Sequence, residues 1–389
     1  GFVEQGQGHA ALHCFERMQE EGLFPDSVTF ISILKACGSA EAIEKGKLIH
    51  EEIQSRGLMD WDVVLGTALV DMYVKCGVIA KAQEVLEELL VRDLVSWNSL
   101  IGGYTELGQG HEALNCFEQM QSEGLTPDGV TFTHILRACS CIVAIEKGKQ
   151  IHDEIVNRGL LSKNIALGTA LVDMYAKCGM LVKATQVLED LLVRDVSSWN
   201  ALVAGYVQHG QIYKALIWFE MMECEGVCPN AVTFICALGA CGIRRDVEKG
   251  KQLHAEVVSR GLLENDIMLG TALLDMYAKC GVLVKAREVF ENLSIRDVVS
   301  WSALIGGYAQ HGQGHKVLEC LKHMQNEGFF PNEVTFVCIL KACGSITALD
   351  VGEKIHDEIT TRGLLGENII LDTALVDVYA KRRMLVNAQ

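Results

Sequence analysis

The sequence predicts an all-α protein, a right-handed α-solenoid of antiparallel helix-pair repeats, and three observations carry that expectation. The segment LGTALVDMYVKCG at 65–77 returns at 167–179, at 269–281 and, as the worn copy LDTALVDVYAKRR, at 371–383, always 102 residues on. The four prolines, Pro25, Pro127, Pro229 and Pro331, keep the same spacing. Within each period lie three shorter segments, each with two apolar stripes of helical period and no alternating stretch. Periods of roughly 20–50 residues mark solenoids, because one such segment can bury its apolar face only against its neighbours.

In order, the repeats span 1–26 (partial), 27–62, 63–93, 94–128, 129–164, 165–195, 196–230, 231–266, 267–297, 298–332, 333–368 and 369–389 (partial). Complete repeats cycle through lengths of 36, 31 and 35 residues. In 63–93, Ala68, Leu69, Met72 and Tyr73 form one stripe, Gly77 supplies a helix stop, and Ala82, Val85, Leu86 and Leu89 form the second. In 94–128 the second helix is expected to end near Gly124, with Pro127 blocking its continuation. One uninterrupted stack is expected. Gly1 aligns with Gly103, Gly205 and Gly307, so the chain is expected to begin inside a repeat, and Gln389 falls inside another.

Composition narrows the chemistry. The 389 residues are 49% hydrophobic, yet no stretch approaches the roughly 18 apolar residues of a membrane span. Most of the 15 cysteines recur in register (Cys76, Cys178 and Cys280; Cys37, Cys139, Cys241 and Cys343), as small core residues in a reducing compartment would. His-x-Glu occurs at 50–52, 152–154, 254–256 and 356–358, but the Pro-Cys-x-x-Cys half of a zinc deaminase signature is missing. The GQGH segments at 108–111 and 312–315 follow helices rather than strands, and read as interhelical turns. Neither catalysis nor a cofactor nor a metal is expected.

The differences between copies are more informative. The fifth residue of each 31-residue repeat is Thr67, Thr169, Thr271 or Thr373; in the 35-residue repeats it is Asn98, Asn200 or Ser302. The 36-residue repeats carry Ile31, Thr133, Ile235 and Val337 there. The last residue is always polar: Asp93, Asp128, Asn164, Asp195, Asn230, Asp266, Asp297, Asn332 and Asn368. Asp and Asn there serve as helix N-caps, although capping alone would not couple them to the fifth residue.

The segments VTF…LKAC, VSWNALI-type helices, LGTALVDMYAKCG and EGxxPN strongly resemble plant pentatricopeptide repeat proteins, and the alternating lengths resemble their PLS subclass, with P repeats of 35, L repeats of 36 and S repeats of 31 residues. The resemblance implies single-stranded RNA read one base per repeat, through the fifth and last residues, with RNA running 5′ to 3′ along the chain. It implies work in a mitochondrion or chloroplast, usually specifying C-to-U editing sites together with editing-complex proteins, or else stabilising or splicing transcripts. DNA and membranes are not implied partners, and any deaminase segment would lie outside this sequence.

Donors and acceptors give the pairs a reading. Ionised Asp only accepts and suits the ring N–H of guanine or uracil, whereas Asn also donates and suits the bare ring nitrogen of adenine or cytosine. A short fifth residue leaves room for a purine. Thr67/Asp93, Thr169/Asp195 and Thr271/Asp297 then read G, Asn98/Asp128 reads U, Asn200/Asn230 reads C and tolerates U, and Ser302/Asn332 reads A. The aliphatic fifth residues read nothing, and Thr133/Asn164 reads A if an L repeat reads at all. The ligand is 5′-G-U-n-G-C-n-G-A-n-3′.

The net charge of −16 is unusual for a nucleic-acid binder. Lys75, Lys177, Lys279 and Lys381 lie eight residues after the threonines, on nearly the same helix face, and are expected to meet the RNA backbone. Asp71, Asp173, Asp275 and Asp377 precede them by four residues and partly cancel them. Lys35, Arg137 and Lys341 also fall on first helices. A protein-binding scaffold of the tetratricopeptide kind, with one uniform period and no polar code, is the competing class.

Overall fold

The computed structural model describes residues 6–58, 62–161, 164–263, 266–346, 348–366 and 368–381, except the side chains of Leu349 and Lys381. These residues form twenty-two α-helices and no strand, in two compact units, Gly1–Leu202 and Val203–Gln389. The backbone contact expected of Lys381, and most of the partial repeat's second half, lie outside the described residues.

Each complete repeat that lies within one unit is an antiparallel helix pair. In 63–93 the helices are Val63–Lys75 and Ile79–Glu88; in 94–128 they are Leu94–Glu106 and Gly110–Ser122; in 129–164 they are Gly129–Ile142 and Ile145–Asn157. Gly77 joins the first pair at φ 74°, a left-handed conformation that costs glycine little. In the 36-residue repeats the corresponding joints are made by Glu41, Val143 and Arg245, at φ 52°, 56° and 59°.

Within each unit, a first helix packs on the first helix of the next repeat, so first helices form a continuous layer. A second helix packs on its own first helix and on the following one. The stripes supply the core: Leu65, Leu69, Met72 and Tyr73 are buried on one helix and Ala82, Val85 and Leu86 on its partner. Cys37, Cys139, Cys241 and Cys343 are buried too, and burial pushes their thiols up to about 11, 12, 12 and 11.

The periodic prolines have a periodic partner. Arg56, Arg158, Arg260 and Arg362 donate to the carbonyls of Pro25, Pro127, Pro229 and Pro331 at 3.1, 3.0, 3.2 and 3.0 Å. The same guanidinium groups lie 5.3–5.4 Å from the ring centres of Phe30, Phe132, Phe234 and Phe336, and pair with Glu52, Glu154, Glu256 and Glu358. These are the glutamates of the His-x-Glu segments. Their histidines take other partners: the Nδ1 atoms of His50, His152, His254 and His356 each lie 2.9 Å from the hydroxyl of Tyr73, Tyr175, Tyr277 or Tyr379. Each motif thus locks one repeat to the next. Among the described residues, no group of three or more His, Cys, Asp or Glu could hold a metal ion.

Candidate nucleic-acid interface

The last residue of a repeat is the N-cap of the next first helix. Oδ1 of Asp93 accepts from the Ser96 amide at 2.8 Å, Oδ1 of Asp128 from Thr131 at 2.9 Å, Oδ1 of Asp195 from Ser198 at 2.9 Å and Oδ1 of Asp297 from Ser300 at 2.8 Å. Asn230 and Asn332 likewise accept through Oδ1, from Thr233 at 3.1 Å and Thr335 at 2.9 Å. The cap occupies one atom of a two-atom head group. In the aspartates Oδ2 remains, an acceptor; in Asn332 Nδ2 remains, a donor. Burial pushes the Asp128 carboxyl up, but hydrogen bonds from Thr131 and Asn98 outweigh it and hold the group below the usual range, so it is ionised at neutral pH.

The fifth residue meets this same cap. Thr67 Oγ1, which donates to the Val63 carbonyl at 2.9 Å, lies 3.3 Å from Asp93 Oδ1; Thr169 Oγ1 donates to Asp195 Oδ1 at 3.1 Å, and Asn98 Nδ2 to Asp128 Oδ1 at 3.3 Å. Ser302 reaches Asn332 through the Thr335 hydroxyl, over two links of 2.6 and 2.8 Å. Thr271 Oγ1 is enclosed with no hydrogen-bond partner, so Thr271 and Asp297 are not joined. Asn200 and Asn230 fall in different compact units. Thr373 donates to the Ile369 carbonyl at 2.6 Å.

Repeats of 36 residues end differently. Asp62, Asn164 and Asp266 cap at ψ 90°, 98° and 95°, whereas Asp93 and Asp297 sit at 171° and 177° and Asp128 at −175°. The peptide plane is turned by roughly a quarter circle, which re-aims the head group. Thr133 Oγ1 donates to its own helix at the Gly129 carbonyl, 2.7 Å away, and Asn164 accepts from the Leu167 amide at 3.2 Å. A Cβ at residue 129 would come within 2.4 Å of Asn164 Nδ2, so that amide lies against the Gly129 backbone. The Thr133/Asn164 pair is therefore not assembled as Thr169/Asp195 and Asn98/Asp128 are.

Fifth residues line cavities along the first-helix layer, Asn98 together with Asp128 in one and Thr271 and Ser302 in another. One of about 410 Å³ in the N-terminal unit has Asp71, Lys75, Val95, Asn98, Asp128 and His134 in its wall. Its counterpart in the C-terminal unit, about 740 Å³, has Asp275, Lys279, Val299, Ser302, Val334 and Cys338. Apolar walls come from second residues of repeats, which sequence reasoning overlooked: Val95 and Val130 in one cavity and Met268, Val299 and Val334 in the other, all exposed, as are Val64 and Val232. The available signal was their place one residue off the buried stripe, where an apolar side chain has no core to enter.

The cations divide into two sets. Lys75, Lys177 and Lys279 pair with Asp71, Asp173 and Asp275 at 2.7, 2.8 and 2.6 Å. Lys35, Arg137 and Lys341, on first helices of 36-residue repeats, are exposed and carry no ion pair among the described residues.

An all-helical stack of paired helices with capped polar pairs along one layer defines a helical-repeat protein with a periodic groove. The PPR repeat family matches residues 92–141, 194–243 and 296–345, the PPR repeat matches 67–94, 169–196 and 271–297, and the pentatricopeptide repeat domain matches 1–40. The chain belongs to the pentatricopeptide repeat family. Among its Arabidopsis thaliana relatives, one pentatricopeptide repeat-containing protein named as mitochondrial is 36% identical over 389 residues, covering 100% of this chain and 56% of its own length. Another, named as chloroplastic, is 36% identical over 354 residues, covering 91% of this chain and 43% of itself. The chain spans about half the length of the curated relatives it matches. The crystal structure of the pentatricopeptide repeat protein PPR10 from maize superposes with a TM-score of 0.70 at 19% identity, over 100% of this chain and 61% of that one. PPR10 in complex with an 18-nt psaJ RNA element gives 0.69 at 15% identity, over 96% and 60%.

Proposed function

We propose that this chain binds single-stranded RNA in a sequence-specific manner, one base per repeat in the 31- and 35-residue repeats, as a PLS-type member that specifies C-to-U editing sites in a mitochondrial or chloroplast transcript. The observation that carries the reading is the Asn98/Asp128 site. Its cap fixes one carboxylate oxygen, its fifth residue shares that oxygen, and the pair opens on a cavity with apolar walls at Val95 and Val130. A base edge would meet Asp128 Oδ2 while its faces lie against the valines. The repeat boundaries and the code pairs given above follow from this reading, with Thr67, Thr169 and Thr271 opposite guanine. The 36-residue repeats are spacers that read no base, Thr133/Asn164 included, because their caps are turned and their fifth residues do not join them. The RNA-bound state of PPR10 and the organellar names of relatives are in line with it. Catalysis and editing-complex partners are assigned to other proteins or segments.

Asn98→Thr tests the reading. Asp128 still demands a ring N–H, while the shorter Thr makes room for a purine, so the preferred base opposite repeat 94–128 should change from U to G. Hydrogen-bond readout worth roughly 1–3 kcal/mol per base predicts about ten- to hundredfold discrimination, read by gel shift on 5′-GUnGCnGAn-3′ and its G-substituted partner. Equal binding of both RNAs by both proteins rejects the two-residue reading.

A further inference from the structure

We infer that the sixth residue of a 36-residue repeat, His134 in one copy and Cys338 in another, sets the size of base accepted by the 35-residue repeat before it. The inference rests on the RNA-reading proposal and adds a third specificity residue to it. The two cavities described above are built from the same slots: Val95 and Val299, Asn98 and Ser302, Gly102 and Gly306, Val130 and Val334, His134 and Cys338. The wider one, about 740 against 410 Å³, also takes in Met268, Thr271 and Ala272 of the preceding repeat.

Within the shared slots, the floor differs. At Gly102 an added Cβ would sit 3.0, 3.2 and 3.4 Å from Cε1, Nε2 and Nδ1 of His134, so the imidazole lies across that glycine. At Gly306 the only neighbour within 4 Å is Cys338 Sγ, at 3.7 Å. The ring fills groove space that the thiol leaves open. Its Nδ1 is enclosed with no hydrogen-bond partner, an arrangement that costs stability rather than adding it. A residue that destabilises its own groove is better explained by what the groove must exclude. The narrow site is the one whose code pair asks for uracil, and the wide one asks for adenine. His134 therefore adds to the bias against purines that Asn98 sets, where Asp128 alone would accept either guanine or uracil.

Asn98 and Val74 are also larger than their counterparts Ser302 and Ala278, so the test changes only the sixth residue. In gel shifts on 5′-GUnGCnGAn-3′ carrying U or G opposite repeat 94–128, His134→Cys should raise relative binding of the G-bearing RNA about tenfold, with U binding retained. The reciprocal Cys338→His should weaken adenine relative to cytosine opposite 298–332. Unchanged U:G and A:C ratios in these two variants, with helicity intact and Asn98→Thr still switching U to G, overturn the inference alone. Failure of Asn98→Thr as well overturns the code reading and this inference with it. An equal loss for all bases would assign His134 to packing and also overturn it.

Discussion

Asp128 offers two oxygens, and the proposed reading gives each its own job. Oδ1 caps the next helix and binds Asn98, and Oδ2 is left without a partner among the described residues. Capping and base reading, which from sequence look like rival explanations, are thus compatible, and substitution can separate them. Asp128→Asn keeps a capping oxygen but replaces the remaining acceptor with a donor. Helix Gly129–Ile142 should stay as protected in amide exchange as before, while the base preferred opposite repeat 94–128 changes from U to C. Asp128→Ala should lose both, with about 1 kcal/mol less local stability at the helix start and no base preference. If Asp128→Asn keeps its preference for U, the free oxygen is not the reader.

At the scale of the helix pair, the stripes, the Gly77 stop and the proline break are legible because each is local: periodicity and φ preference act over a few residues. What the sequence hides is what lies across repeats. The Arg158–Pro127 clamp joins residues 31 apart, and the His152–Tyr175 contact joins residues 23 apart. The turned cap of Asn164 follows from a ψ angle that no residue type announces. Val143 in a left-handed joint runs against its own preference. The His–Tyr locks carry a pH dependence. Burial lowers the ionisation range of His50, His152 and His254; at His152 the Lys183 charge acts the same way, opposed by Asp153 and Asp190. A depressed histidine stays neutral in the folded chain while the unfolded chain takes up its proton near pH 6.5. Stability is therefore unaffected above that pH and falls as pH drops below it toward the folded value. Amide protection of Ile145–Asn157 and Ile165–Lys177 should decrease from pH 7.5 to 5.5, and less steeply in His152→Asn, which keeps an acceptor for the Tyr175 hydroxyl but cannot titrate. Equal slopes in the two proteins would show that other groups carry the effect.

For the whole molecule the question is how a chain of net charge −16 would hold a polyanion, as the proposed function requires. The lysines that follow the code threonines are already neutralised by aspartates one turn away, so a phosphate that took one of them would have to break an existing ion pair. The cations without an ion pair among the described residues sit on the 36-residue repeats, proposed above as spacers: Lys35, Arg137 and Lys341, with Gly239 in the slot of the remaining copy. This suggests a division of labour, in which 31- and 35-residue repeats select bases and 36-residue repeats hold phosphates. Counterion release then bounds the salt response. Single strands contribute about −0.7 to the slope of log K against log salt per neutralised phosphate, so a few such cations give a slope of roughly −2, far from that of a strongly basic binder. Arg137→Ala should weaken every RNA by a similar factor, whatever its bases, and make the slope shallower by about 0.7. Lys75→Ala, which removes an already paired charge and frees Asp71, should change the slope far less. If Lys75→Ala flattens the salt dependence and Arg137→Ala does not, phosphate lies along the code threonines and the division of labour is wrong.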